Sequence, residues 1–140
     1  MSLTIHATCV AIGGRGVLLR GPSGSGKSDL ALRLIDRGAA LVGDDYVVVA
    51  AHSGGLIARP APNIAGQMEV RGIGIVELPF LPEVRVCLVV DLADAPVRMP
   101  EPASETFECI TIPKVELSSL EASAPIKVEM ALNRFGLPIS

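Results

Sequence analysis

From Thr4 to Ile12 the stretch TIHATCVAI has the small and β-branched apolar character of a strand; glycines follow at 13, 14 and 16, and VLLR resumes the pattern at 17–20. Two short apolar runs joined by glycines predict a hairpin that delivers the chain to Gly21. The period then changes. Leu30, Ala31, Leu34 and Ile35 recur at helical spacing, Asp29 suits a first turn and Gly38 a stop, so an amphipathic helix is predicted over 28–37. ALVGDDYVVVA, at 40–50, returns to a buried-strand pattern, but two carboxylates interrupt it at Gly43–Asp45. Burying both without partners would be costly.

Residues 52–67 are rich in glycine, proline and alanine and predict turns with a short strand. MEVRGIGIVEL, 68–78, predicts an extended segment with paired glycines, in which Glu69 and Arg71 stand two apart and so share a strand face. VRVCLVVDLAD, 84–94, predicts another strand. Pro96, Pro100 and Pro102 then punctuate a loop ending near Ser104, after which TFECITIP and APIKVEMALNRFG predict strand and then helix. Strands and helices alternating through glycine-rich connections predict an α/β fold. The 140 residues, 49% hydrophobic and 19% charged, suit one packed domain over 1–140.

Charge narrows the partners. Twelve basic residues against 15 acidic ones, with no basic block and no series of aromatic residues, exclude nucleic acid. No apolar run approaches the roughly 20 residues of a membrane span. The N-terminus MSLTIHATC lacks a basic region followed by an apolar signal core, so a cytoplasmic protein without a membrane partner is expected. Cys9, Cys87 and Cys109 are odd in number, far apart and set among apolar residues, which predicts buried reduced thiols rather than disulfides or a zinc site.

Chemistry concentrates where strand gives way to helix. Gly21, Pro22, Ser23, Gly24, Ser25, Gly26, Lys27 and Ser28 satisfy G-x-x-x-x-G-K-[ST]. Small residues let backbone N–H groups close around phosphate oxygens, and the helix N-terminus adds donors and a favourable dipole. Lys27, one of three lysines, would sit on the β- and γ-phosphates and the Ser28 hydroxyl would ligate Mg2+, so ATP with magnesium is the expected pair. The motif does not say whether the phosphate goes to water, a small molecule or a protein. A metal-binding carboxylate is also needed, and CLVVD (Asp91) competes with ALVGDD (Asp44 and Asp45). Spacing alone cannot choose between them. Adjacent acids do suggest a division of labour in which backbone donors hold one while the other accepts a proton from an incoming hydroxyl. His6, alone in the strand leading to the loop, fits a structural or a catalytic role.

Together these residues resemble the catalytic domain of the HPr kinase/phosphorylase family, whose members phosphorylate a serine of the phosphocarrier protein HPr. Three blocks carry the resemblance: IHATCVAIGGRGVLLRGPSGSGKSDLALRLIDRGAALVGDD, then MEVRGIGIVEL, and, more weakly, PVRMPE around Arg98. The resemblance implies a P-loop kinase domain of the kind shared with the nucleotide-binding core of phosphoenolpyruvate carboxykinase. It implies that Asp45 takes the serine proton, that His6 lies close to Asp45, and that Lys27 binds phosphate. Ser28 and Glu69 would hold magnesium, Arg98 would stabilise charge in transfer, and Asp44 would support its neighbour. An HPr-like carrier is the implied partner and a homo-oligomer, hexameric in the family, the implied assembly.

Two features depart from the family pattern. The catalytic block begins within a few residues of Met1, so a short form without the family's N-terminal domain is expected. Where the family carries a Pro-Gly-Arg-Asn stretch tied to dephosphorylation, this chain reads SSLEASAPIKVE, with no arginine or glycine. Kinase activity with weak or lost phosphorylase activity is therefore the expectation. One rival is a small-molecule kinase, which needs an arginine-bearing lid that nine arginines and the proline-rich 96–102 loop supply poorly. The other is a nucleotide-gated binding module without catalysis, against which the set Lys27, Ser28, Asp45 and Glu69 argues.

Overall fold

The computed structural model describes residues 2–99 and 101–139; Met1, Ser140 and Pro100 of the proline loop lie outside them. The chain opens with β1 (Ser2–His6), β2 (Thr8–Ile12) and β3 (Arg15–Arg20), passes through α1 (Lys27–Asp36), and continues with β4 (Ala40–Gly43), β5 (Tyr46–His52) and β6 (Gly55–Pro60). Next come β7 (Gln67–Val70), β8 (Gly74–Glu77), β9 (Val84–Leu92), β10 (Ala103–Phe107), β11 (Ile110–Leu117) and α2 (Ala124–Phe135). The main sheet runs β1-β5-β6-β9-β3-β2-β4, with β11 also parallel to β9 and β10 antiparallel to β11. This mixed sheet with two helices is the predicted α/β class.

The hairpin ahead of Gly21 forms as expected. Ile12 pairs with Arg15 across Gly13 (φ 58) and Gly14 (φ 81), a two-residue turn whose double positive φ favours glycine. Its upstream strand, expected to be continuous over 4–12, instead divides at Ala7. The reason lies in its partner. His6 pairs with Tyr46 and Cys9 with Gly43, so β1–β2 and β4–β5 form one antiparallel ladder whose register holds across the Asp44–Asp45 interruption opposite Ala7 and Thr8 and shifts by one residue only beyond Cys9. Because β1–β5 and β2–β4 stand at opposite ends of the strand order, this shared ladder curls the sheet onto itself.

Two cores result. On one face α1 and α2 place Leu30, Leu34, Val128 and Leu132 against Leu19 and Val90. Inside the curl, Cys9, Leu18, Val47, Leu56, Val89 and Ile112 pack together. Successive residues of β3 thus serve opposite cores, and a strand buried on both faces reads as a continuous apolar run.

Two further expectations change. TFECITIP is a hairpin, not a single strand: Phe107 pairs with Ile110 across Glu108 (φ 48) and Cys109 (φ 68), a two-residue turn without glycine and hence without a turn signal in the sequence. That turn exposes Cys109, while Cys9 and Cys87 are buried as expected. MEVRGIGIVEL is the β7–β8 hairpin, apart from the main sheet, and its Gly72 has φ 89. Arg71 sits in that turn and shares no strand face with Glu69. Among the described residues no helix is long and apolar enough to cross a membrane.

Candidate active site

β3 ends at Arg20, and residues 21–26 loop back to start α1. Gly24 (φ 83) and Gly26 (φ 93) take left-handed backbone that a side chain would strain, and a Cβ on Gly21 would lie 2.5 Å from Ser25 Oγ. Among the described residues the N–H groups of Gly24, Gly26, Lys27 and Ser28 have no protein acceptor. Such unpaired donors at a helix N-terminus form an anion cradle. Lys27 is buried, donates from Nζ to Gly21 O (2.8 Å) and Pro22 O (3.2 Å), and has no carboxylate partner among the described residues. A buried cation with one proton still to place is suited to phosphate.

Asp44 is the node beside this cradle. Only 5% exposed, its Oδ1 accepts from Ser28 Oγ at 2.6 Å and Thr8 Oγ1 at 3.0 Å, and its Oδ2 accepts from the Glu69 N–H at 3.2 Å. Three donors from β2, α1 and β7 offset the burial of the charge. Ser28 gives its proton to Asp44, which leaves its oxygen lone pairs free for a cation. The residues therefore fit magnesium, with Ser28 as ligand and Asp44 behind it. Among the described residues no three His, Cys, Asp or Glu side chains converge as a metal cluster; magnesium held largely by phosphates and water needs fewer.

Asp45 faces the other way. The Tyr46 N–H donates to Asp44 O at 2.8 Å while Asp45 has φ 70, so Asp45 is the centre of a γ-turn of the strained, positive-φ kind. Its N–H donates to Thr8 Oγ1 at 3.2 Å, and its exposed carboxylate accepts from His6 Nε2 at 2.8 Å. The Tyr46 ring stacks on His6 with centroids 5.0 Å apart. An accessible carboxylate held by an imidazole N–H can accept a proton from a hydroxyl brought to it.

The other sequence candidates are placed as follows. Pro22, Ser23 and Gly24 form the exposed crest of the loop. Glu69 is joined to Asp44 through its backbone, and its carboxylate is exposed. Arg98 lies exposed in the loop after β9, and among the described residues no hydrogen bond or ion pair ties it to the rest. Asp91 is occupied elsewhere: Arg20 clasps it with bonds of 2.8 and 3.1 Å, and Lys114 lies 3.9 Å away. Arg20 and Lys114 also hold Glu105, at 3.1 Å each. The bond to Asp91 raises the Arg20 pKa, and the bonds from Lys114 and then Arg20 lower that of Glu105. A carboxylate facing two cations is poorly suited to a divalent metal, whereas neither Asp44 nor Asp45 is paired with an arginine or lysine among the described residues.

The model of the HPr Serine kinase C-terminal domain matches residues 1–86, more than half of the chain. The chain belongs to this family. HPr kinase/phosphorylase from Mycoplasmopsis pulmonis is 39% identical over 98 residues, covering 64% of this chain and 31% of the relative. The Clostridium tetani protein of the same name is 44% identical over 77 residues, covering 55% and 25%. The chain thus spans about a quarter to a third of the length of these relatives. The solved Hpr(Ser) kinase/phosphatase from Coxiella burnetii has the same fold, with TM-score 0.82 at 30% identity and 94% of each chain covered.

Within this HPr kinase fold, Thr8 went unnoticed in the sequence although it joins both aspartates, bonding the Asp44 carboxylate and the Asp45 backbone. Its signal was faint: a polar residue two places after His6, in an otherwise apolar strand. Tyr46 was missed too, because its stacking on His6 depends on the folded register and not on a motif.

Proposed function

We propose that this domain binds ATP with magnesium on the P-loop and phosphorylates a serine of an HPr-like phosphocarrier protein. The carrying observation is the adjacency of two functions at one break in the ladder: Asp44 bonds the P-loop serine at 2.6 Å, and the next residue presents a carboxylate held by His6 at 2.8 Å. The names of the relatives support the substrate class. The cradle donors and Lys27 bind and orient the phosphates. Ser28 and Glu69 would hold magnesium, which would supply neutralisation of charge on the transferring group.

Asp45 accepts the proton of the serine hydroxyl as its oxygen bonds to the terminal phosphorus, and the displaced bonding pair leaves with ADP. His6 keeps the carboxylate aimed. Arg98, in the loop after β9, would meet charge developed in transfer. The stretch 118–129, without arginine or glycine, favours the kinase direction over phosphorolysis. The test is incubation with ATP, magnesium and an HPr-type carrier, followed by mass spectrometry. The expected product is phosphoserine, reduced about 10²- to 10⁴-fold in Asp45→Asn while ATP still binds. An Asp45→Asn protein that transfers at the wild-type rate overturns this role, and ATP binding without transfer by the wild-type protein favours a nucleotide-gated binding module.

A further inference from the structure

The Ser118–Ser119 turn, in the stretch that departs from the family pattern, lies against the P-loop. Ser119 is only 6% exposed, and its Oγ donates to Ser25 O at 2.5 Å. A Cβ on Gly26 would come within 2.7 Å of the same Oγ, so the hydroxyl occupies space that Gly26 leaves. Behind it, Arg33 of α1 donates through Nη2 to Ser119 O at 2.6 Å and through Nη1 to Glu121 O at 3.1 Å. Ser25 Oγ itself is buried with no partner among the described residues, so Ser25 is held through its backbone and not its side chain.

We propose that Ser119, anchored by Arg33, is a positioning residue that holds the P-loop in its phosphate-accepting conformation. The argument rests on the nucleotide reading above and turns on one peptide. In a planar trans peptide the carbonyl and the following N–H point in opposite directions. Tying the Ser25 carbonyl to Ser119 turns the Gly26 N–H away from Ser119 and keeps it free of protein acceptors. Rotation of that peptide would exchange a donor for a carbonyl oxygen, which repels phosphate. Because Gly26 has no side chain to resist rotation, the restraint must come from outside the loop.

The experiment is calorimetric titration of Mg·ATP into wild-type protein, Ser119→Ala, Arg33→Ala and the double variant, with the melting temperature of each measured without nucleotide. Loss of one hydrogen bond predicts about 3- to 10-fold weaker binding for Ser119→Ala. Arg33→Ala should weaken binding by a similar or smaller factor. The double variant should bind no worse than the weaker single one, because the two act through one contact. Wild-type affinity in folded Ser119→Ala, or losses that multiply in the double variant, would overturn the proposal; a residue of merely structural role would lower only the melting temperature. Should Arg33→Ala fail to fold, the Ser119→Ala titration alone decides. Wild-type protein that binds no ATP would instead overturn the nucleotide reading, and this proposal with it.

Discussion

Neighbouring aspartates with opposite surroundings should respond to very different degrees to the same small change. In Asp44→Asn the amide oxygen can still accept from Ser28 and Thr8, but the new NH2 faces the Glu69 N–H now 3.2 Å from Oδ2, setting donor against donor. The buried site loses one bond outright and the charge assistance of the other two, a cost of about 2–4 kcal/mol. For 140 residues the entropy of unfolding is about 0.3 kcal/mol/K, so each kcal/mol shifts the midpoint by about 3 °C. Asp44→Asn should therefore melt about 6–12 °C lower. In Asp45→Asn the oxygen can still accept from His6, and the pair is open to solvent, with side chains 34% and 58% exposed. That change is worth under about 1 kcal/mol, or about 3 °C. Differential scanning calorimetry of both variants gives the comparison directly. Equal shifts, or a larger one for Asp45→Asn, would refute the division into a buried node and an exposed, loosely held carboxylate.

Two more predictions concern regions outside that pair. Glu105, held below the ordinary 4.5 first by Lys114 and then by Arg20, contributes stability that is fully present above about pH 4.5 and lost as pH falls through its lowered folded value. Glu105→Gln should flatten the acid limb of the stability profile by under about 1 kcal/mol, since the pair is partly solvated; parallel wild-type and variant curves through that window would contradict this. Burial pushes the Cys9 thiol up to about 12, Cys87 is buried and Cys109 is exposed. Iodoacetamide at pH 8 should therefore label Cys109 alone in the native protein, as peptide mapping would show, and comparable labelling of Cys9 would mean that the curled core opens readily.

What was legible in the sequence depended on whether a signal was local. The P-loop, the helix behind it and the glycine hairpin ahead of it are each specified within a few residues, by positive-φ requirements and helical spacing. The β10–β11 turn was not legible, because Glu108 and Cys109 adopt left-handed backbone that only the pairing of their flanking strands imposes. The division of the first strand at Ala7 was hidden for a related reason. Nothing in TIHATCVAI marks a break; the break belongs to the partner run, and only the shared register carries it across.

The same distinction explains the site. The motif marks residues suited to phosphate, yet spacing left Asp91 and the aspartate pair equally eligible as a metal's carboxylate. The two surroundings differ through cations far away in sequence: Arg20 and Lys114 occupy Asp91, whereas Asp44 gathers three uncharged donors and leaves the Ser28 lone pairs free. Asp45 gains its exposure from the γ-turn that interrupts the ladder, so the strain there and the burial of Asp44 are two consequences of one break. A continuous ladder would send alternate residues to opposite faces and give neither aspartate its present surroundings. The interruption that looked like a flaw in an apolar run is thus the feature that ties one carboxylate to the first helical turn after the glycine-rich loop while the next stays exposed beside His6.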